Sequence, residues 1–196
     1  YGWSVDKSYA ALRYPYYTNL TAYPAPWSGG TNGLITAPVF LLDNYDSLYI
    51  AKNADKIKGQ IVMYKTIDTV IKSSFKPESS RYSDSELTNM QDQHMFSKEM
   101  LKMFVPTIVK QMNATKQIQR AGALAVLEMT REEADGAVFV DGFGGWEKKD
   151  QPALTKLLMS KEDYLKIERL LKGDTPVALD LDIKTTFYGD DLKSYN

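Results

Sequence analysis

The sequence predicts an α+β fold in which short strands form a core and helices connect them. Three apolar runs each follow a break marked by glycine, and a helical pattern precedes each break. Glycine suits such breaks because it adopts positive φ without steric cost. The three predicted strands are residues 61–64, 124–129 and 177–187.

Residues 177–187 carry the clearest strand signal. Apolar and polar residues alternate there with a period of two, which is typical of a strand with one buried side and one solvent-facing side. The predicted buried face consists of Val177, Leu179, Leu181 and Ile183, and the predicted solvent face consists of Ala178, Asp180, Asp182 and Lys184.

A helix is predicted shortly before that strand, at residues 161–171. Ser160 can cap its N-terminus, and Glu162 and Asp163 lie in the first turn, where the helix dipole favours acidic side chains. Gly173 follows the last turn, as is common at helix C-termini.

A longer helical pattern covers residues 83–119. Pro106 divides it, so we expect one helix before the proline and a second that continues to Arg120. The residues expected to face inward at helical spacing are Leu87, Met90, His94, Leu101, Phe104, Ile108, Met112 and Ile118. The many methionines favour gap filling between helix and sheet over an adaptable binding face. These methionines are Met90, Met95, Met100, Met103 and Met112.

The first 33 residues are rich in tyrosine, proline and glycine, which favours extended and turn conformations over helix. So many aromatic rings would lose a large burial energy if they were left in water. We therefore expect an ordered arm over residues 1–33 that wraps across a sheet. Residues 34–42 are then expected to form the first strand, and residues 43–53 a short, partly helical connection.

Length and composition are those of a globular domain. With 196 residues, of which 43% are apolar, the chain is long enough to bury a single core. A net charge of −1 predicts neither a nucleic acid nor a membrane surface as a partner. The absence of cysteine excludes disulfides and thiolate metal sites. The chain begins with Tyr1 and shows no signal peptide, so we expect it to be a piece of a longer protein.

Residues for hydrolytic chemistry are sparse. His94 is the only histidine, so no second histidine completes a metal site with it. The adjacent Glu132 and Glu133 likewise have no histidine partners, and no Gly-x-Ser-x-Gly motif occurs. Asp180 and Asp182 fit a solvent-facing strand better than a glycosidase pair. The sequence therefore predicts no catalytic, cofactor-binding or metal-binding residue in this chain, which leaves a self-sufficient hydrolase with little support.

The candidate functional segment is a glycine-rich loop at residues 141–147. It lacks the lysine and the serine or threonine that follow in a phosphate-binding loop, and its glycines predict flexibility. Its aromatic rings can form a recognition tip or fold onto the domain, and the sequence leaves both open. The candidate residues are Phe143, Gly144, Gly145 and Trp146.

Three segments match one known domain in order and spacing. Residues 58–63 are Lys-Gly-Gln-Ile-Val-Met, residues 120–127 are Arg-Ala-Gly-Ala-Leu-Ala-Val-Leu, and residues 24–33 are Pro-Ala-Pro-Trp-Ser-Gly-Gly-Thr-Asn-Gly. They resemble the KGKIVL strand, the AGAxAVI step and the AxPxxWSxGTxG entry of the protease-associated (PA) domain, with one extra glycine in the last. The chain is thus similar to the PA domain of the co-catalytic zinc exopeptidases, the aminopeptidase family that includes plasma glutamate carboxypeptidase.

This resemblance implies a single PA domain over residues 1–196. Its fold would be of the swivelling β/β/α kind, a β-sandwich with short flanking helices and a helical insertion at about residues 68–121. The resemblance also implies a non-catalytic role, that of a lid that shapes the access of a peptide substrate to the active site. Zinc would then be bound by the catalytic peptidase domain of the same polypeptide and by no residue of this chain. The location would be extracellular or periplasmic.

A second possibility is a stand-alone interaction or carbohydrate-binding module, which an aromatic-rich surface would serve. Zinc-ligand motifs beyond Asn196 would favour the peptidase, and a stop codon at that point would favour the module.

Overall fold

The structure is a computed structural model of the chain and describes residues 2–66, 80–90, 98–130, 136–140, 144–145 and 152–189. The strands are β1 (Gly2–Tyr14), β2 (Thr18–Asn19), β3 (Ala22–Pro24), β4 (Ile35–Leu42), β5 (Ile61–Tyr64), β6 (Ala125–Met129), β7 (Thr155–Met159) and β8 (Ala178–Tyr188). The helices are α1 (Ser47–Lys52), α2 (Ala54–Ile57), α3 (Asp84–Met90), α4 (Lys98–Arg120) and α5 (Lys161–Lys172).

The strands form one mixed sheet in the order β2-β1-β8-β4-β5-β6-β7-β3. Strands β4 to β7 are parallel to one another, and the other neighbours in the sheet are antiparallel. Strand β1 also contacts β3 at the far edge, so the sheet is strongly curved. Within the described residues the fold is thus mixed α/β with one curved, eight-stranded sheet, which is consistent with the predicted α+β class.

The predicted elements with strong local signals are present. Strand β5 has the expected bounds, and β6 and β8 each begin one residue later than expected. Helix α5 begins after Ser160, whose side chain accepts a hydrogen bond from the Asp163 N–H, and ends at Gly173. The predicted buried face of β8 is buried, including Leu181 at 0% exposure. Capping, alternation and glycine-marked breaks were therefore sufficient to locate these elements.

Tyr164 joins helix α5 to the carboxyl ends of the parallel strands. Its hydroxyl accepts a hydrogen bond from the Tyr64 N–H at 2.9 Å and donates one to the Tyr64 carbonyl at 2.7 Å. The Leu127 carbonyl on β6 lies 3.5 Å from the same hydroxyl. The hydroxyl therefore satisfies buried backbone groups at the end of β5. Burial raises the pKa of Tyr164 well above its usual value, so the hydroxyl stays protonated and remains a donor.

Glu168 extends the same connection by one helical turn. Its carboxylate accepts hydrogen bonds from the Thr66 N–H at 2.8 Å and the Thr66 hydroxyl at 2.6 Å, and Lys172 pairs with it at 2.9 Å. Burial alone would raise the pKa of Glu168, but the bonds from Thr66 and Lys172 outweigh burial and lower it. Side chains of α5 thus give the backbone of residues 64–66, where β5 ends, the hydrogen-bond partners that a neighbouring strand would otherwise supply.

Two hydrophobic clusters cover the two faces of the sheet. The larger one packs the inner side chains of β1, β4, β5, β6, β7 and β8 against Tyr164 and Ile167 of α5. The smaller one lies under α1, α2 and the C-terminal part of α4, where Ile50, Ile57 and Ile118 contact Val62 and Val126 on the sheet. Each face of the parallel strands is therefore covered by helices, as parallel sheets require.

The first 33 residues contain more regular structure than the sequence indicated. Strand β1 pairs with β8 along nearly its whole length, and β2 and β3 are strands as well. The first strand is thus Gly2–Tyr14, not residues 34–42. Only three consecutive residues of β1 are buried, Ala10, Ala11 and Leu12. The strand therefore shows little apolar alternation, and its signal is weak.

Helix α4 runs continuously from Lys98 to Arg120 with Pro106 inside it, where the sequence predicted a division. Ile118 is buried as expected, but Ile108 and Met112 are 46% and 44% exposed. The helix has 23 residues and is about 34 Å long, whereas the adjacent β5 has four residues. Much of α4 therefore has no sheet to pack against, which is why these two predictions are wrong.

The same holds for the other side chains expected to fill a helix–sheet interface. Leu87, Met90, Met100, Leu101, Met103 and Phe104 are all exposed. His94 and Met95 lie outside the described residues.

None of the described helices combines the length and the apolar character that crossing a bilayer requires.

Replacing Leu181 with alanine should lower the free energy of unfolding by about 2–5 kcal/mol, because a fully buried side chain would leave a cavity in the larger cluster. Leu34→Ala is the matched control, since Leu34 is 60% exposed, and it should change stability little. Denaturant titration of both variants measures the difference. Equal stabilities would mean that the larger cluster is not built around this face of β8.

Replacing Tyr164 with phenylalanine should cost about 1–3 kcal/mol, because the ring remains while the Tyr64 N–H and carbonyl lose their partner. Tyr16→Phe serves as a control that removes a hydroxyl from an exposed ring. Hydrogen exchange of the Tyr64 amide should also accelerate in Tyr164→Phe. Unchanged protection of that amide would contradict the bridging role of the hydroxyl.

Candidate functional site

The described part of the predicted loop is held against the segment of residues 26–30. The Gly144 N–H donates a hydrogen bond to the Pro26 carbonyl at 2.6 Å. A Cβ atom at Gly144 would lie 2.1 Å from the Trp27 carbonyl oxygen, a distance that side-chain atoms do not tolerate. Trp27 itself has a φ of 54°, in the left-handed region that non-glycine residues rarely adopt. Glycine at position 144 thus allows a close approach between two backbones.

Strands β1 and β8 fix the other side of this segment. The Trp3 indole N–H donates to the Ser28 carbonyl at 3.0 Å, and the Thr185 hydroxyl donates to the same carbonyl at 3.2 Å. Thr31 exchanges hydrogen bonds with Ile183, from its N–H to the Ile183 carbonyl at 2.8 Å and from the Ile183 N–H to its hydroxyl at 2.9 Å. The segment is therefore anchored to β1 and β8, the first and last strands of the described fold.

The two adjacent glycines also lie against backbone. Gly29 donates its N–H to the Leu154 carbonyl at 3.2 Å, and the Thr155 hydroxyl donates to the Gly30 carbonyl at 2.9 Å. Between Trp27 and these glycines, the Ser28 side chain is fully buried, and its hydroxyl has no hydrogen-bond partner among the described residues. A buried hydroxyl without a partner costs free energy, so its presence beside the loop marks a local compromise in packing.

Residues 136–140 lead into the loop and are anchored at two points. Thr130 and Phe139 exchange hydrogen bonds at 3.2 Å, and the Gly136 N–H donates to the Glu162 carboxylate at 3.0 Å. Val138 and Val140 then line an open hollow of about 360 Å³ together with Thr21, Ala22 and Tyr23. The hollow is mainly apolar and lies beside the edge strand β3, close to where the loop begins.

Helix α5 holds the Thr21 side of the same hollow in place. The Thr21 N–H donates to the Asp163 carboxylate at 2.7 Å, and Lys166 pairs with that carboxylate at 2.7 Å. Burial alone would raise the pKa of Asp163, but the hydrogen bonds from Lys166 and Thr21 outweigh burial and lower it. The wall of the hollow thus rests on an ionised carboxylate in the first turn of a capped helix.

Two of the four predicted loop residues, Phe143 and Trp146, lie outside the described residues, as do His94, Glu132 and Glu133. Gly144 and Gly145 are partly buried. The contacts of Gly144 with residues 26–28 were not foreseen, because their partners lie more than a hundred positions earlier in the chain. The one available sequence signal was the pair Gly29-Gly30, two residues after Trp27, which contributed only to the resemblance to the PA domain.

Asp180 and Asp182 lie on one face of β8 but have separate partners. The Thr36 hydroxyl donates to Asp180 at 2.6 Å, and Lys7 pairs with Asp182. Asp180 is buried, so its predicted place on the solvent face is wrong. Side chains of the strands beside β8, such as Thr36 on β4, flank Asp180, and an alternating pattern cannot reveal such neighbours. Among the described residues no group of three or more histidine, cysteine or acidic side chains is placed to hold a metal ion.

Gly144→Ala should destabilise the chain by about 1–3 kcal/mol, because the new Cβ would overlap the Trp27 carbonyl and force the loop from the segment of residues 26–30. Gly173→Ala is the control, since its φ is −92° and the nearest atom to an added Cβ is 3.4 Å away. Denaturant titration compares the two. If Gly144→Ala were as stable as the control, the close approach would not exist in solution.

No family model and no curated protein sequence matches this chain. Solved structures that share its fold include the following three. A peptidase M28 precursor from Shewanella amazonensis SB2B superposes with a TM-score of 0.60 at 15% identity, over 96% of this chain and 36% of its own. An aminopeptidase from Aneurinibacillus sp. strain AM-1 superposes with a TM-score of 0.52 at 9% identity, over 94% of this chain and 33% of its own. BSAP, a zinc aminopeptidase from Bacillus subtilis, superposes with a TM-score of 0.50 at 13% identity, over 93% of this chain and 32% of its own.

The chain therefore spans about a third of the length of the peptidase structures that it matches. At these identities the likeness shows a shared fold. Nearly all of this chain corresponds to one part of each larger peptidase.

Proposed function

We propose that this chain is a non-catalytic PA domain of a secreted or periplasmic zinc metallopeptidase, in which it acts as a lid that shapes the access of peptide substrates. The observation that carries this proposal is the superposition of nearly the whole chain on about one third of a peptidase M28 precursor and of a zinc aminopeptidase. The catalytic residues and the zinc ions would belong to the remaining part of such an enzyme. In this proposal the chain itself contributes no zinc ligand.

The segment best suited to meet a substrate is the 141–147 loop with the adjoining hollow. The hollow offers apolar side chains, Val138, Val140 and Tyr23, beside an open sheet edge, and its volume falls within the usual range of binding sites. Gly144, at the middle of the loop, is hydrogen-bonded to Pro26 and lies against Trp27, so this point of the loop is fixed. A loop on a rigid base can position a substrate side chain without taking part in bond breaking.

Trp146→Ala in the full enzyme should lower kcat/KM for peptide substrates by about five-fold or more, the loss expected when an aromatic contact of over about 1 kcal/mol is removed. Zinc content and the unfolding transition should stay unchanged, because the lid holds neither the metal nor the core. Steady-state kinetics, elemental analysis and thermal unfolding provide the three measurements.

Trp146→Phe is the matched control and should retain most of the activity, because it keeps an aromatic ring at the same position. Full activity of Trp146→Ala together with a loss of several kcal/mol in stability would show that Trp146 belongs to the core. That result would refute the lid role of the loop and leave the PA assignment to be decided by the zinc content of the full polypeptide.

An interaction or carbohydrate-binding module is the second candidate, and the exposed tyrosines favour it. Tyr14, Tyr16 and Tyr17 are exposed around the connection between β1 and β2, and Tyr23 and Tyr188 are exposed elsewhere. Aromatic rings of this kind are common at binding surfaces. Saturation-transfer NMR with oligosaccharides distinguishes the two, since a peptidase lid should show no transfer to sugars.

A further inference from the structure

A groove of about 590 Å³ lies between the start of α1 and the C-terminal part of α4. One wall consists of Tyr45, Asp46 and Ser47, and the other consists of α4 side chains that recur three or four residues apart from Pro106 to Arg120. We call it the α1–α4 groove. It shares no lining residue with the hollow beside β3, and its volume is within the ~300–1,000 Å³ that is usual for small-molecule sites.

The shape of the groove is fixed by packing and by a contact between its walls. Ala114 is 2% exposed and belongs to the smaller hydrophobic cluster, and Tyr45 stacks on the buried Tyr64 with ring centroids 4.3 Å apart. The Gln117 amide on α4 donates a hydrogen bond to the Ser47 hydroxyl on α1. The groove is therefore formed before any ligand binds, which lowers the ordering cost of binding.

Hydrogen-bond donors dominate the polar lining of the groove. The side chains of Lys110 and Arg120 can only donate, and the Asn113 amide carries two further N–H groups. The Ser47 hydroxyl accepts from Gln117 and so keeps its own hydrogen for donation. A ligand that brings several acceptors, such as a carboxylate or a phosphate, matches this lining.

The charge of the groove points to the same class of ligand. Three basic side chains line it, against one acidic side chain among the described residues, Asp46. The Asp46 carboxylate accepts hydrogen bonds from the Leu48 and Tyr49 N–H groups at 2.9 and 3.2 Å. No acidic side chain of the described residues pairs with Lys110 or Arg120. The positive charge of these two side chains is thus open to an anion.

We propose that the α1–α4 groove binds a small organic anion with two oxyanionic groups, one held by Lys110 and the other by Arg120. These residues are about 15 Å apart along the helix axis, and their long side chains can lean toward each other. Asn113 lies between them and can donate to the body of the ligand. The proposal does not depend on the peptidase assignment, because it uses only the lining and the charge of the groove.

Isothermal titration calorimetry of the full polypeptide tests the proposal with glutarate, fructose 1,6-bisphosphate and inorganic phosphate. At least one of the first two should bind with a Kd below about 1 mM. It should bind about ten-fold more tightly than inorganic phosphate, because only a ligand with two charged groups reaches both cations. Binding should weaken as salt is added. The comparison of glutarate with the bisphosphate distinguishes a dicarboxylate from a phosphate ester as the preferred ligand.

Two variants remove the charges that hold the ligand. Lys110→Gln and Arg120→Gln should each weaken binding about ten-fold or more, since each loses one charged hydrogen-bond donor. Asn113→Glu should abolish binding because it places a negative charge between the two cations. Lys102→Gln is the matched control: it removes the same charge from α4 outside the groove and should leave the Kd unchanged. Thermal unfolding without ligand should be the same for all four variants.

Absence of saturable binding of glutarate and of the bisphosphate up to about 10 mM would overturn the proposal. An equal loss of affinity in Lys102→Gln would show general attraction to a basic helix and would refute a site in the groove. Binding that Lys110→Gln and Arg120→Gln leave intact would place the ligand elsewhere, such as at a metal ion of the full enzyme, and would refute the proposal as well.

Discussion

The hydroxyl of Tyr164 is the contact on which the rest of the structure depends. It satisfies both backbone groups of Tyr64 at a point where the ladder between β5 and β6 has ended. In doing so it fixes the position of α5 on the sheet. The first turn of α5 in turn supports the candidate site, through Glu162 to Gly136 and through Asp163 to Thr21. The buried hydrogen bonds of Tyr164 thus help to set the geometry of the surface hollow, because Glu162 and Asp163 directly precede Tyr164 on α5.

Elements whose signals are contained in a few neighbouring residues were predictable. Helix α5 has a serine cap, acidic residues in its first turn and a terminal glycine, and β8 alternates cleanly. Strand β1 was missed because its burial depends on β8, and β7 because its five residues show no clear alternation of apolar and polar side chains. Helix α4 was misjudged for a different reason: its spacing is helical throughout, but spacing alone does not tell whether the buried partner is its own sheet.

The candidate site was predictable only in outline. The glycines and aromatic residues of the 141–147 loop predicted a binding segment, but the close backbone contact of Gly144 was not foreseen. Its missing side chain makes room for the Trp27 carbonyl, and the segment that carries Trp27 lies more than a hundred residues earlier in the chain. Asp180 shows the same limit, since a carboxylate on an alternating strand can be buried by neighbours that the pattern does not identify. Long-range backbone contacts leave no local trace in a sequence.

The pairing of Gly2 with Tyr188 also has a mechanical consequence. Tension applied through these two neighbouring ends would separate the β1–β8 ladder one residue pair at a time, beginning with Gly2–Tyr188 and then Trp3–Phe187. A ladder opened in this peeling direction resists weakly, because the load falls on one pair rather than on all of them. The indole of Trp3 and the hydroxyl of Thr185, which hold the Ser28 carbonyl, stand near the start of that path. A pull on the ends of this fold would therefore reach the base of the glycine-rich loop before it disturbed the parallel strands.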